Sequence, residues 1–396
     1  MSTTKFSVII PTRERADTLY WSIKTCITQD YSNLEILVSD NYSQDNTREV
    51  VESFDDSRIR YINPEKRLGM SNHWDFALSH ATGDYIMIIG DDDGLLPNAC
   101  EQVNTILKTF KTDVVCSPFL AYIWPTNVAS DNFSNILTFF RFNESGLLDA
   151  KENLSKVSLK GYEHSILPMI YWSFVSSALI NRIKLKTGGS FFHAVCPDIY
   201  SGVIISNHIT SFYRSKTPFV LPGSSHNSNG ASQSSLDMSK KAEINKFWAE
   251  NTIKMHHKLL DVPSSNIYAA DALYRAYDLG LLDRQFLPSI SIVLKNAMKS
   301  ASYQKSKAVY NRTKVGVIAI AQINGVPEVE KYMSYSFLKP IIEIIKKATK
   351  KVYIVLDNHK IKNIYDASLQ AANYFDKKPT FIENLVSTLK IQLKNK

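Results

Sequence analysis

The first hundred residues alternate short apolar runs with amphipathic segments, and this alternation limits the possible folds more than any other feature of the chain. "FSVIIP" (6–11) is a compact apolar run ended by proline and reads as a buried strand. In "ADTLYWSIKTCITQ" the apolar residues Leu19, Ile23, Cys26 and Ile27 recur at helical spacing. "LEILVSD" (34–40) is a second strand and "DNTREVVESF" a second helix; "RIRYIN" and "NHWDFALSHA" repeat the pair, with Gly83 just beyond the third helix as a stop. "DYIMIIGD" is a fourth strand. Strands alternating with helices in this way predict an α/β domain built on a parallel sheet.

In such sheets ligands bind beyond the carboxyl ends of the strands. The residues there are Thr12–Arg13–Glu14 after the first strand, Asp40–Asn41 after the second and Asp91–Asp92–Asp93 after the fourth. All are polar or charged and are expected to converge on one crevice. Three adjacent carboxylates repel and raise one another's pKa unless a cation neutralises them. Hard divalent cations such as Mg²⁺ and Mn²⁺ take carboxylate oxygen, commonly one or two carboxylates plus substrate phosphates. The triplet, with Gly90 and Gly94 on either side, is therefore a candidate site for a metal carrying a diphosphate. The competing reading is a solvated acidic turn, or a helix cap by Asp93. No G-x-G-x-x-G follows the first strand, which disfavours a dinucleotide dehydrogenase.

Further along, residues 98–110 read as a helix, "DVVCSPFLAYIW" as a strand, and "ALINRIKLKTGGSFFHAVCPDIYSGVIIS" as a strand, a Gly-Gly turn and a helix opened by Pro197–Asp198. "TSFYRSKTPFVLPG" reads as a last strand before the loop-like "SSHNSNGASQSS". Charge changes sign near there. Residues 1–240 hold 21 Lys/Arg against 25 Asp/Glu, a net of −4; residues 241–396 hold 25 against 13, a net of +12. This places a domain boundary near residue 238: a 1–238 domain and a basic, mostly helical 239–396 domain. In the latter, "KAEINKFWAENTIKMHHKLL" and "IYAADALYRAYDLGLL" read as helices, with His256–His257 at the surface. "KVGVIAIA" and "KKVYIVLD" read as strands flanking the helix "SYSFLKPIIEIIKKATK". A basic tail suits an anionic partner such as a membrane surface; its aromatics show no stacking-platform pattern, so no nucleic acid is expected. The longest apolar stretch, Ile166–Ile180, is too short to span a bilayer and contains Pro168 and three serines, so it reads as buried core. Four scattered cysteines and the absence of a signal-like N-terminus suggest a reduced, cytoplasmic chain, possible structural zinc being disfavoured.

Two blocks, "SVIIPTRERADTLYWSIKTCITQDYSNLEILVSDNYSQDNT" and "RLGMSNHWDFALSHATGDYIMIIGDDDGLLP", in this order, resemble the family-2 glycosyltransferases of bacterial surface-polysaccharide type. The resemblance covers about residues 5–235. It implies the GT-A nucleotide-sugar-binding fold, a mixed, mainly parallel sheet flanked by helices. It also implies transfer of a sugar, with inversion, from a nucleotide-diphosphate sugar (typically UDP-linked) to a hydroxyl of a glycan or lipid-linked acceptor, aided by Mn²⁺ or Mg²⁺. The C-terminal part has no such resemblance.

Residue by residue, the resemblance implies that Pro11 and Thr12 form the turn that meets the nucleotide, and that Asp40 accepts a hydrogen bond from the base. Arg13 stands where the family has an aromatic, Glu14 where it often has Asn, and Asn41 where a second Asp is common. Asn72 joins this nucleotide-binding set. Asp91 and Asp93 match the D-x-D positions: Asp93 as main metal ligand, Asp91 toward the ribose and also on the metal, and Asp92 on the nucleotide side, supporting the turn. "GGSFFHAVCPD" places Asp198 as catalytic base, the group that must take the acceptor's proton; His193 nearby reads as a packing or acceptor-contact residue. "SSHNSNGASQ" resembles a late loop that closes over the diphosphate, with His226 reaching the metal or a phosphate and Ser228 and Ser232 donating to phosphate. Two alternatives are a nucleotidyltransferase, disfavoured because "PTRERADTL" lacks a glycine-rich loop, and a non-catalytic nucleotide-sugar-binding protein.

Overall fold

A computed structural model describes residues 3–125, 134–140, 144–225, 249–303, 307–327, 329–332 and 351–377. The elements run β1 (Phe6–Thr12), α1 (Ala16–Ile27), β2 (Leu34–Asp40), α2 (Thr47–Glu52), β3 (Ile59–Ile62), α3 (Met70–His80) and β4 (Tyr85–Ile88). There follow β5 (Gly94–Leu95), α4 (Ala99–Phe110), β6 (Val114–Cys116), β7 (Leu120–Ile123), β8 (Ile136–Phe140), β9 (Gly146–Asp149) and α5 (Ala150–Lys160). Then come β10 (Ser173–Ser176), α6 (Ser177–Lys184), α7 (Pro197–His208), β11 (Ser211–Arg214), β12 (Val220–Leu221) and β13 (Gly223–Ser224). The later part holds α8 (Ser265–Asp278), α9 (Ile290–Ala301), α10 (Lys307–Ile323), β14 (Lys351–Val355) and α11 (Ile364–Lys377).

The main sheet has the order β3-β2-β1-β4-β10-β6-β11-β9. β1 through β4 are mutually parallel. β10 is antiparallel to both β4 and β6, while β6 and β11 are parallel. Two antiparallel steps restore direction, so the carboxyl ends of β1, β2, β4, β6 and β11 share one edge. The sheet is thus mixed, mainly parallel and helix-flanked, as expected of the GT-A fold.

The period-two pattern of the strands divides the apolar residues between the two faces. In β1, Phe6, Val8 and Ile10 enter a core with Leu19 and Ile23 of α1 and Val103 of α4. Ile9 enters the opposite core with Trp74 of α3, Leu154 of α5 and Val203 of α7. Both faces of the sheet are dry, which accounts for the near-continuous apolar runs of β1 and β4.

Several local readings are corrected. "DVVCSPFLAYIW" is two strands, β6 and β7, because Pro118 cannot donate to a continuous ladder. "ALINRIKLK" is not a strand but α6: Ser176 caps it by accepting from the Leu179 N–H at 3.1 Å, and Leu179, Ile180 and Ile183 form its buried stripe. "TSFYRSKTPFVLPG" divides into β11 and β12, which lie in different sheets. "KVGVIAIA" is the end of α10, whose buried residues Tyr310, Thr313, Val317, Ile320 and Ala321 follow the helical period. His256, expected at the surface, is buried. Its N–H donates to Asp271 Oδ1 at 2.6 Å and its Nε2 meets Asp278 Oδ2 at 2.9 Å.

The boundary expected near residue 238 and the helix expected over 334–350 lie outside the described residues. Beyond the boundary, Tyr268, Ala272 and Leu273 of α8 share a core with Val203 and Ile204 of α7. β14 pairs antiparallel with β8, completing a second sheet of order β13-β7-β8-β14, and Ile364 and Ala367 of α11 pack beside Leu120 and Tyr122. Ile166–Ile180 lies within the fold as β10 and the start of α6. Among the described residues, no helix is long and apolar enough to cross a membrane.

Candidate active site

The carboxyl edge of β1, β2 and β4 gathers the polar residues as the alternation requires. Thr12 and Asp40 are register partners, and Asn41 N–H donates to the Thr12 carbonyl at 2.9 Å. Thr12 Oγ1 donates to Asp91 Oδ2 at 2.8 Å, joining β1 to β4. The cation nearest the acidic triplet belongs to the protein: Arg15 Nη1 lies 2.9 Å from Asp91 Oδ1. Burial raises the Asp91 pKa, and Arg15 opposes that rise.

Each acid has its own partners. Asp93, with no exposed surface, accepts from Gly90 N–H at 2.6 Å and Trp172 Nε1 at 2.7 Å on one oxygen, and from Gly223 N–H at 2.7 Å on the other. Asp93, rather than Asp92, therefore holds the turn. Burial, then the neighbouring Asp92 carboxylate, pushes the Asp93 pKa well above the usual carboxylate range. Asp92 Oδ2 accepts from both the N–H and the hydroxyl of Ser225, at 3.1 and 2.7 Å.

The backbone makes these contacts possible at two glycines. A Cβ on Gly223 would fall 1.8 Å from the Asp92 carbonyl oxygen, so only glycine lets residues 223–225 approach the triplet. A Cβ on Gly90 would stand 2.9 Å from the Tyr171 hydroxyl and 3.1 Å from both Asp92 Oδ1 and Asp93 Oδ2. Three oxygens thus face a cradle that a side chain would fill. Trp172 reaches Asp93 from a left-handed backbone (φ +66°), a strained state for a bulky residue that surrounding contacts must hold.

Tyr171 connects the triplet to the expected base. Its buried phenol has a strongly raised pKa because burial and the charges of Asp93, Asp92 and Asp198 all oppose ionisation. Asp198 lies in the first turn of α7, behind Pro197, and is half-buried. The loop before it is fixed by Asp75, which accepts from the N–H groups of Phe191 and Phe192 at 2.7 and 3.2 Å. His193 packs edge-on against Tyr200.

The remaining nucleotide-side residues form a rim. Asp40 is 2% exposed and accepts from Tyr61 OH at 2.7 Å and Ser43 N–H at 3.0 Å. Asn41 exchanges two bonds with the Leu68 backbone. Pro11 lies in β1 just ahead of Thr12. Glu14 pairs with Arg67, and Arg13 with Glu250. Asn72 Nδ2 donates to Thr252 Oγ1 at 3.2 Å. His226, Ser228 and Ser232 lie outside the described residues, directly after Ser225.

A divalent cation fits the Gly90 cradle by the chemistry of its donors, two carboxylate oxygens. Among the described residues, no three His, Cys, Asp or Glu side chains are placed to hold a metal alone. Asp92 Oδ1 and Asp93 Oδ2 are the carboxylate oxygens that border the cradle.

Sequence reasoning missed Arg15, Tyr171, Trp172, Gly223 and Ser225. Trp172 carried one signal: an indole within an apolar run needs a partner for its N–H.

Residues 7–154 match the model of the family described as "Glycosyl transferase family 2". A GalNAc(5)-diNAcBac-PP-undecaprenol beta-1,3-glucosyltransferase of Campylobacter jejuni is 40% identical over 98 residues, 24% of this chain and 32% of that protein. The UDP-Glc:alpha-D-GlcNAc-diphosphoundecaprenol beta-1,3-glucosyltransferase WfgD of Escherichia coli is 37% identical over 103 residues, 26% of this chain and 41% of that protein. The chain thus spans well under half the length of these curated relatives. Among solved structures, S. aureus TarS 1–349 in complex with UDP-GlcNAc is 14% identical, with a TM-score of 0.45 over 93% of this chain and 91% of that one.

Proposed function

We propose, from the match of residues 7–154 to the model of the family described as "Glycosyl transferase family 2", that the protein transfers a sugar from a UDP-sugar, with inversion, to a hydroxyl of a lipid-linked glycan acceptor in surface-polysaccharide (O-antigen type) biosynthesis. The observation that carries this reading is the cradle of Tyr171, Asp92 and Asp93 oxygens around Gly90, at the edge where Thr12, Asp40 and Asp91 also meet. The two curated relatives, named as acting on undecaprenol-diphosphate acceptors, support the acceptor class.

In this reading Thr12, Arg13, Glu14, Asp40, Asn41 and Asn72 border the nucleoside. Asp198 accepts the proton of the acceptor hydroxyl as that oxygen attacks the anomeric carbon, and the nucleotide diphosphate leaves from the opposite side. No enzyme-bound sugar is needed. Asp92 and Asp93, with His226 following in the chain, would hold a Mn²⁺ or Mg²⁺ ion. Such an ion supplies charge neutralisation for the departing diphosphate. Arg15 opposes the burial-driven rise of the Asp91 pKa without that ion. The basic 239–396 part would hold the enzyme on an anionic membrane surface, near its acceptor.

A thermal-shift screen of nucleotide sugars, with and without Mn²⁺, tests this reading. UDP-sugars are expected to raise the melting temperature most, and more so with Mn²⁺. No shift with any nucleotide would overturn it.

A further inference from the structure

A second pocket opens at the same sheet edge, beyond Trp172, lined by Pro118, Phe119, Phe140, Ile166, Trp172 and Arg214. Its volume is about 90 Å³, and it opens to solvent. Its position follows from topology. β6 ends at Cys116 and β11 at Arg214, and both strands run in the direction of β4. The pocket therefore flanks the acidic triplet, and Trp172 is the wall between them: its indole N–H is on Asp93 while the residue also lines the pocket.

The lining is apolar with a single charged group. Phe119 and Phe140 pack at 4.9 Å, and among the described residues no carboxylate lines the space. The hydroxyl of Ser117 is committed, receiving the N–H groups of Phe219 and Val220 and donating to the Pro118 carbonyl. Arg214 is fixed by Nη2 donating to the Ile166 carbonyl at 2.8 Å and by its place over the Phe212 ring, 5.4 Å from the centroid. Among the described residues no carboxylate pairs with it. A guanidinium set in an apolar wall matches a ligand that is anionic at one end and apolar at the other.

We propose that this pocket binds the acceptor's lipid phosphate, with Arg214 on the phosphate and the first apolar units of the chain on Phe119, Phe140 and Ile166. This rests on the glycosyl-transfer reading and adds the acceptor-side site to it. Bound there, the lipid phosphate would bring its attached sugar past Trp172 toward Asp198 and the donor.

The test is calorimetric titration of the full chain with farnesyl diphosphate, farnesol and inorganic diphosphate, and separately with UDP plus Mn²⁺. Farnesyl diphosphate is expected to bind, with each fragment weaker by about tenfold or more. Arg214→Gln is expected to weaken farnesyl diphosphate about tenfold or more, the scale of a charged hydrogen bond, and to leave UDP binding unchanged. Phe119→Ser, at a half-buried position, is expected to weaken farnesyl diphosphate and not inorganic diphosphate. Unchanged UDP affinity in each variant reports an intact fold. Absence of farnesyl diphosphate binding while UDP binds would overturn the lipid pocket and leave the donor reading standing. Competition between UDP and farnesyl diphosphate would also overturn it, by putting the lipid phosphate in the donor crevice. Loss of UDP binding in the unaltered protein would instead count against the glycosyl-transfer reading itself.

Discussion

Trp172 donates its indole N–H to Asp93 at 2.7 Å from a backbone held at φ +66°, and this contact ties the end of β4 to the segment leading into β10. Asp93 has no exposed surface, so its donors replace the water it has lost. Trp172→Phe keeps an aromatic ring, smaller than the indole, and removes the donor. It is expected to destabilise the fold by about 1–3 kcal/mol, the cost of an under-satisfied buried acceptor, measured by urea unfolding. A change within error would mean that Asp93 does not depend on this bond.

Arg15 is the internal counter-ion of the triplet. Arg15→Met removes the charge that lies 2.9 Å from Asp91 and is expected to cost about 3–5 kcal/mol, as for breaking a buried pair from one side. Asp91→Asn added to Arg15→Met should recover part of that loss, because the stranded carboxylate is gone. A double-mutant cycle with no coupling would show that the two groups act independently.

His73 sets an acid limit. It is buried, its Nε2 meets Ser39 Oγ at 2.9 Å, and burial, then the nearby Arg13 charge, lowers its pKa to about 3 from 6.5. The folded state therefore refuses a proton that the unfolded chain accepts. Above about pH 6.5 this costs nothing. As pH falls toward 3, stability drops at up to about 1.4 kcal/mol per pH unit. His73→Gln should flatten this limb, so that the loss between pH 7 and 5 is smaller by about 2 kcal/mol than in the unaltered protein. Parallel stability–pH curves for the two proteins would count against it.

Gly223 is the close approach that brings β13 onto the triplet. Gly223→Ala places a Cβ 1.8 Å from the Asp92 carbonyl oxygen, so residues 223–225 must withdraw and Ser225 must lose Asp92. Donor affinity is expected to fall by about tenfold or more with a lowered melting temperature, both readable in one thermal-shift titration. Wild-type affinity would show that this strand does not shape the donor site.

The central sheet was legible in the chain because both of its faces are buried, and apolar runs such as Phe6–Ile10 leave few other choices. The edge residues were legible for the same reason: strand ends fix where Thr12, Asp40 and Asp91 go. Partners distant in sequence were not. Nothing local in "PTRERA" says that Arg15, rather than Arg13, turns back onto Asp91, and nothing in "LPGSS" says that Gly223 will meet an acid 130 positions earlier. The helices misread as strands, α6 and the end of α10, are short apolar runs whose period emerges only when the buried face is known. The return of β14 to β8 is a pairing between segments 211 or more positions apart, which no local pattern encodes.

The most direct test of the glycosyl-transfer account is a single-turnover assay of Asp198→Asn with a UDP-sugar, Mn²⁺ and a prenyl-diphosphate-linked acceptor, run beside a UDP binding titration. The account predicts that transfer falls by about 10²–10⁴-fold, the contribution of a general base, while UDP affinity is unchanged. Transfer at the unaltered rate would contradict it.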